Sequence, residues 1–475
     1  MNNLMKNFSA FSYGTILSLL IAFLAIPILT RILSPEEYGK ITLFVTLSGI
    51  FSTIISFGTD QAFVRFFYEE HEDNRGKLLR KTLIIPSALT IIFIVIMLFF
   101  GSKITLYYFD DNSLSIILSL IAFVTFSLIY NFGLLVVRMQ QKGNTYSLLL
   151  IFNKIIYLLL IISLIYLIPH TYMIGIGSLL ISLMLSVIVI IFIERIFWFK
   201  KIKKDTEKLI NNIKTISLFS FPFFVTLLIN LIFKSADKFA LEGWGSYEDL
   251  GIYSSGVVLV GMLGVLQASF TIFWTPVAYK KYELEPENKQ FFKIISQIVS
   301  FIMIAIALIV VMIRDYIILF LGEDYREAIF ILPMLLFIPI ATTISETTQI
   351  GINFKKKPRY HIITAIIASL VNLIFLFILV PTYGAKGAAI STALGYLSYL
   401  LFRTVFSQML FKIEYGLKNL SLIVCLLFCY MLHLTFYDTS IFSLTTGICL
   451  FLLNIYLYKD IFKIFVDYHN KSSDN

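Results

Sequence analysis

The chain has 475 residues and a formal net charge of +9, yet only 14% of its residues are charged and 58% are hydrophobic. With a mean hydropathy of +0.87 it has too little polar surface to cover a water-soluble body of this size, which excludes a soluble globular protein and makes lipid its solvent. The basic residues are spread over short connections rather than gathered in a stripe, which argues against nucleic acid as a partner.

Apolar runs long enough to cross about 30 Å of hydrocarbon as helix recur along the chain and predict about 14 transmembrane helices. They lie near 8–30, 40–59, 82–101, 114–137, 147–168, 172–197, 215–236, 250–273, 291–313, 328–353, 360–380, 385–411, 418–437 and 440–458. Backbone groups in lipid must be bonded within their own segment, and these runs lack the alternation of a membrane barrel. The expected fold class is therefore an all-α membrane protein. Lys6 before the first run resembles the start of a secretory signal, but the run is too long and leads into Arg31-Ile32-Leu33-Ser34-Pro35 without a small-residue cleavage site, so it is expected to remain as a span.

With the N-terminus in the cytoplasm, most of the 38 lysines and arginines fall in inner loops while the acidic residues divide evenly, the bias expected of Lys and Arg rather than of net charge. Both termini are then cytoplasmic. The densest basic run, Lys200-Lys201-Ile202-Lys203-Lys204 with Lys208 and Lys214, falls between spans 6 and 7. It reads as a solvated positive-inside loop, or as one that attracts anionic headgroups.

Cys425, Cys429 and Cys449 are odd in number and lie in the last two spans, which disfavours a disulfide framework or metal site. The five histidines lack ligand spacing, and no Gly-Lys-Ser/Thr phosphate loop occurs. The chain is expected to carry no ATPase and no cofactor, leaving an ion gradient, the substrate gradient or a partner to drive any transport.

An internal repeat organises the chain. Glu36-Glu37-Tyr38-Gly39-Lys40-Ile41 resembles Glu248-Asp249-Leu250-Gly251-Ile252-Tyr253, and Leu167-Ile168-Pro169-His170-Thr171-Tyr172 resembles Leu379-Val380-Pro381-Thr382-Tyr383-Gly384; both pairs are offset by 212 positions. The offset predicts an N-terminal lobe of six spans at 1–210 and a C-terminal lobe of six at 211–412, with two appended helices and a cytoplasmic tail at 413–475. An even number of spans per half makes the repeat parallel, with a cavity expected between the lobes.

The stretch Thr30-Arg31-Ile32-Leu33-Ser34-Pro35-Glu36-Glu37-Tyr38-Gly39 resembles the first outer loop of the polysaccharide transporters, the Wzx-type oligosaccharide flippases of the multidrug/oligosaccharidyl-lipid/polysaccharide exporter superfamily. Phe57-Gly58-Thr59-Asp60-Gln61-Ala62-Phe63-Val64-Arg65, the passage from Ser235-Ala236-Asp237-Lys238 to Gly251-Ile252-Tyr253-Ser254, and the run from Asn372 through Val380-Pro381-Thr382-Tyr383-Gly384 to Thr392 extend the likeness over spans 1–12. No single motif is decisive; their order and spacing carry the assignment. The resemblance implies two six-helix lobes in a bacterial cytoplasmic membrane and alternating access. Its implied cargo is an undecaprenyl-pyrophosphate-linked oligosaccharide, flipped from the inner to the outer leaflet for capsule, exopolysaccharide or O-antigen assembly. It also implies membrane lipids, the polysaccharide polymerase and glycosyltransferases as partners.

Ionisable groups inside a membrane cost roughly 2.5–3.5 kcal/mol at a helix centre, so they tend to face a cavity or a partner. Lys154, the deepest base, is a candidate for pyrophosphate or a tether to a neighbouring carboxylate. Arg31, Lys234 and Lys238 near the outer ends of spans 1 and 7, and Arg65, Arg138 and Arg403 near the inner ends, are candidates for the anionic headgroup. Interfacial anchoring is the plainer role for each, and Lys238 has Asp237 within reach. Glu346 is the acid placed well inside a span, and Thr342, Glu346, Gln349 and Asn353 share one helical face. It is a candidate for H+ or Na+ coupling, or a structural salt bridge, with Lys154 as one partner.

Small residues from Gly384 to Gly395 predict close helix approach around spans 11 and 12, and Pro333 and Pro339 a bend in span 10. The segment 61–80 is expected along the inner surface. Rival readings are a flippase for the peptidoglycan precursor, lipid II, and a cation-coupled multidrug exporter, which should show more buried acids than bases. A membrane polymerase or ligase should carry a large outer loop, and no large outer loop is expected.

Overall fold

The computed structural model describes residues 2–475 except 112, 200–211, 438–439 and 460–475, with side chains placed from Tyr13 onward apart from 272 and 440–442. The basic run from Lys200 to Lys208 lies outside the described residues. Among those described there are helices and no strands. In chain order they are α1 (Asn2–Ile32), α2 (Pro35–Ser56), α3 (Thr59–Phe66), α4 (Arg75–Thr82), α5 (Ile84–Phe109), α6 (Leu114–Met139), α7 (Gly143–Ile165), α8 (Met173–Ile193), α9 (Arg195–Phe199) and α10 (Ile213–Trp244). Then come α11 (Tyr247–Leu284), α12 (Lys289–Met312), α13 (Arg314–Ile317), α14 (Ala328–Leu335), α15 (Phe337–Thr348), α16 (Ile350–Phe354), α17 (Arg359–Leu410), α18 (Leu417–Phe436) and α19 (Ser440–Leu457).

Twelve described segments are long and apolar enough to cross a membrane, with a shorter apolar helix at Ser443–Leu457. Two features separate this from the fourteen expected spans. The last span is short among the described residues, and spans 11 and 12 form the single 52-residue α17, broken at Gly384 (φ 50°, ψ −127°). That conformation suits glycine, which has no Cβ to clash. Beyond the break the chain folds back on itself: Gly395 packs on Asn372, and the Tyr360 and Phe406 rings lie 5.1 Å apart. The arms are thus an antiparallel hairpin whose small residues, among them the buried Gly387, Ala388, Ala389 and Ser391, allow close approach.

Large apolar side chains face outward, as a lipid solvent requires. Phe99 is 78% exposed and Leu98 63%, while Ser178, Ser186 and Thr105 are fully buried. Many of the buried hydroxyls are bonded within their own helices, as Ser178 Oγ is to the Ile174 carbonyl at 2.7 Å.

The chain divides into two compact units, Met1–Lys238 and Phe239–Asn475. The boundary falls inside α10, downstream of 210/211, where the sequence repeat places the end of its first lobe; the three-part division by lobes stands as a proposal. In the first unit α1 lies along α7, α8 packs on α6 and α7, and α2 packs on α5 and α6. In the second, α15 is enclosed by α11, α12 and α17, and α14 by α11, α17 and α18. The repeat has a local counterpart: Ser34 caps α2 by accepting the Glu37 N–H at 3.3 Å, and Ser246, 212 positions on, caps α11 by accepting the Asp249 N–H at 3.0 Å.

Span 10 is interrupted as its prolines suggest, α14 giving way to α15 at Leu336 and α15 to α16 at Gln349. The segment after α2 forms α3 and α4, two short amphipathic helices. Arg75 ties the turn between them, lying over the Phe67 ring at 4.7 Å and donating Nε–H to the Phe67 carbonyl at 3.1 Å.

Candidate functional site

The second unit holds a charged cluster around Glu346, which α15 carries three to four residues beyond the Thr342–Thr343 hydroxyls. Arg403 on the second arm of α17 reaches it, Nη1 lying 3.1 Å from Glu346 Oε1 and donating to Ser345 Oγ at 2.9 Å. Gln349 Nε2 donates to the other carboxylate oxygen at 2.7 Å, and the Trp274 indole N–H on α11 donates to the Glu346 carbonyl at 3.2 Å. The Tyr399 ring lies 4.8 Å from the guanidinium. Both charged side chains are nearly buried, at 11% and 15% exposure. The salt-bridge role considered for Glu346 thus has Arg403 as its partner, not Lys154.

Beside the pair is a cavity of about 20 Å³, room for one water, lined by Glu346, Gln349 and Asn353 with Trp274 and Tyr279. Asn353 Oδ1 lies 2.8 Å from His361 Nε2. Gln349 Oε1, His361 Nδ1 and Arg403 Nε are buried without a hydrogen-bond partner among the described residues. The polar face leading from Glu346 toward Asn353 therefore borders a small space with unspent donors and acceptors.

The first unit holds a larger cavity, about 280 Å³, lined by polar side chains of α2, α3 and α6, including Ser56, Asp60, Asn131 and Arg138. Ser52 and Ser56 are four residues apart on α2 and Asn131 and Arg138 seven apart on α6, spacings that bring side chains to one helical face, while Asp60 enters from α3, past the left-handed break at Phe57 and Gly58. Arg138 is exposed and has no ion pair among the described residues. It is a headgroup candidate that lines this cavity. Asp60 and Asn131 were not singled out from sequence; the spacing of Asn131 from Arg138 was the available signal.

The other candidates are dispersed. Lys154, half-buried on α7, has no carboxylate partner among the described residues and lies 5.9 Å from the Tyr157 ring centroid. Arg31 is exposed in the last turn of α1. Arg65 is bridged to Glu69 at 2.7 Å. Lys234 is exposed, and its carbonyl accepts from Lys238 Nζ at 3.2 Å. Asp237 uses Oδ1 for the Lys238 backbone N–H at 3.0 Å, not for its ammonium. Sequence reading also missed Glu194, 4% exposed, which holds Lys142 Nζ at 2.5 Å and Gln140 Nε2 at 2.9 Å and so clamps the α6–α7 turn to the end of α8. No group of three or more metal-ligating side chains occurs among the described residues.

The fold is similar to that of solved MurJ and MATE structures. A lipid II flippase MurJ structure in an inward closed conformation matches with a TM-score of 0.65 at 19% identity, over 97% of this chain and 98% of that one. Inward-facing and outward-facing multidrug resistance MATE family transporters match with TM-scores of 0.54 and 0.55 at 14% and 16% identity, over 86% and 88% of this chain and 95% and 96% of theirs. At these identities the likeness speaks to fold. The chain belongs to the polysaccharide biosynthesis protein family, whose family model matches residues 4–280. No curated protein gives a significant match.

Proposed function

We propose that the chain is a flippase that moves undecaprenyl-pyrophosphate-linked oligosaccharide repeat units from the inner to the outer leaflet of a bacterial cytoplasmic membrane by alternating access. It would serve capsule, exopolysaccharide or O-antigen assembly beside glycosyltransferases and a polymerase. The observation that carries this reading is an unpaired base: on a transporter fold of the polysaccharide biosynthesis family, Arg138 lines a cavity that also holds Asp60, yet it has no ion pair among the described residues. A guanidinium is weakly hydrated and presents a fork that matches phosphate oxygens, so it can replace the water a pyrophosphate loses. Lys154, half-buried without a carboxylate, adds a second positive site along the same unit.

Lipid II carries the same pyrophosphate, and the MurJ likeness keeps that cargo as the second reading. A cationic drug is a poorer fit, because Arg403 already neutralises Glu346. For coupling the candidate is a proton at Glu346, since neutralising the carboxylate would remove the pair's attraction and free Arg403.

The deciding experiment reconstitutes the purified chain in liposomes with a labelled lipid-linked repeat unit, lipid II or a cationic dye, and measures accessibility at the opposite leaflet with and without a proton or Na+ gradient. Selective flipping of the repeat unit supports the reading. Movement of the dye alone would overturn it.

A further inference from the structure

The cavity in the first unit carries more chemistry than a phosphate clamp needs. Asp60 sits where α3 begins, after a left-handed turn at Phe57 and Gly58. Its Oδ1 accepts from Ser56 Oγ at 3.0 Å and its Oδ2 from Gln61 Nε2 at 2.6 Å. A carboxylate offers about four lone-pair sites, so the group remains able to accept from two further hydroxyls. Ser52 Oγ borders the same space, buried and without a hydrogen-bond partner among the described residues. The exposed Asn131 amide supplies both a donor and an acceptor, and the Phe132 and Tyr146 rings close an apolar wall.

Carboxylate and amide groups that both give and take hydrogen bonds, set beside aromatic rings, suit a ring bearing several hydroxyls on an otherwise apolar face. Arg138 suits a phosphate oxygen at the edge of that ring. A bare metal cation would meet the guanidinium, and a purely apolar ligand would strand Asp60, Ser52 and Asn131 without partners. The volume, about 280 Å³, lies near the lower end of ligand pockets, roughly 300 Å³, and so suits one sugar rather than a chain of them.

We propose that this cavity is a subsite for a single sugar 1-phosphate, in which Arg138 binds the phosphate and Asp60, Asn131 and Ser52 bind the hydroxyls. It deepens the flippase reading and rests on it: the sugar is the one joined directly to the lipid pyrophosphate, and the subsite selects cargo by that first sugar.

The test uses the full chain in lipid nanodiscs and five soluble probes: farnesyl pyrophosphate, and farnesyl pyrophosphate bearing glucose, galactose, N-acetylglucosamine or N-acetylgalactosamine. At least one sugar-bearing probe is expected to bind at least about tenfold tighter than bare farnesyl pyrophosphate. Asn131→Leu, at an exposed position, should erase that preference, and Asp60→Asn should reduce it. Arg138→Gln should weaken all the probes that bind by about tenfold. Retention of the sugar preference in both Asn131→Leu and Asp60→Asn would overturn the subsite while leaving the flippase reading standing. Equal binding of all five probes to the parent protein would also overturn the sugar assignment, and no binding of any of them would sink both readings.

Discussion

Asp249 accepts the backbone N–H of Ala385 at 2.8 Å through Oδ1, so the acid that opens α11 fastens the start of the second arm of α17. The same Asp249 takes the Ser246 hydroxyl on Oδ2 at 2.9 Å. At the position 212 residues earlier, Glu37 at the start of α2 accepts the backbone N–H of Tyr172 at the entry to α8. In both places a carboxylate in the first turn of one helix fastens the start of another by meeting an orphan N–H there. The loop motifs repeated at that offset are the residues that build this fastening.

Gly384→Ala should be strongly destabilising. A Cβ there would lie 2.3 Å from Asp249 Oδ1, on a backbone with φ +50°. The expected outcome is a loss of about 2–4 kcal/mol, read as a lower melting temperature in detergent. Asp249→Ala should cost about 1–2 kcal/mol by removing a helix-start acceptor. Because the clash and the acceptor share one carboxylate, the double variant should cost less than the two single costs together.

Arg403→Ala should be worse for the fold than Glu346→Gln. Removing the guanidinium leaves a nearly buried carboxylate uncompensated, a cost of about 3–5 kcal/mol, whereas the guanidinium left beside a glutamine keeps Ser345 Oγ and the Tyr399 ring as partners. Restoring stability by combining Arg403→Ala with Glu346→Gln would establish the pairing. If the double variant melted no higher than Arg403→Ala, the pair would not account for the cost.

Glu346→Gln should also blunt the dependence of flipping on the proton gradient, since a glutamine cannot release and recapture the proton that switches Arg403 between bound and free. The measurement is the flipping rate in liposomes with and without an imposed gradient. Equal gradient dependence in variant and parent would remove Glu346 from the coupling mechanism.

Lys154→Ala and Arg31→Ala should each lower translocation of the lipid-linked oligosaccharide while the protein still inserts in the membrane. Neither side chain has an ion-pair partner among the described residues, so truncation strands no buried acid. Flipping at the parental rate in both variants would leave those two bases as interfacial anchors.

Glu194→Ala should release the clamp between the α6–α7 turn and α8. The residue is 4% exposed and carries both Lys142 and Gln140, so its loss is expected to cost about 2–3 kcal/mol. Lys142 is 44% exposed and can turn to water, which keeps the cost below that of stranding a fully buried charge. Thermal denaturation of Glu194→Ala beside Lys142→Ala reads the difference.

Sequence by itself determined the class of molecule, because lipid has no hydrogen bonds to offer. Any run such as 82–101 or 172–197 must close its own backbone bonds as helix, and that requirement acts within the segment. The motif offset of 212 residues was likewise visible in loops, where Ser34 and Ser246 act on the helices they begin. What tertiary structure decided was partnership. Glu346 and Arg403 lie 57 positions apart, and no local rule selects Arg403 over Lys154 as the base for that acid. Asp60 and Asn131 read as an ordinary helix start and an ordinary span residue until the packing of α2 against α6 sets them around one cavity. Coulomb attraction and hydrogen bonding act over a few ångströms of space rather than along the chain, so which charges are matched and which are left open is settled only by how the helices pack.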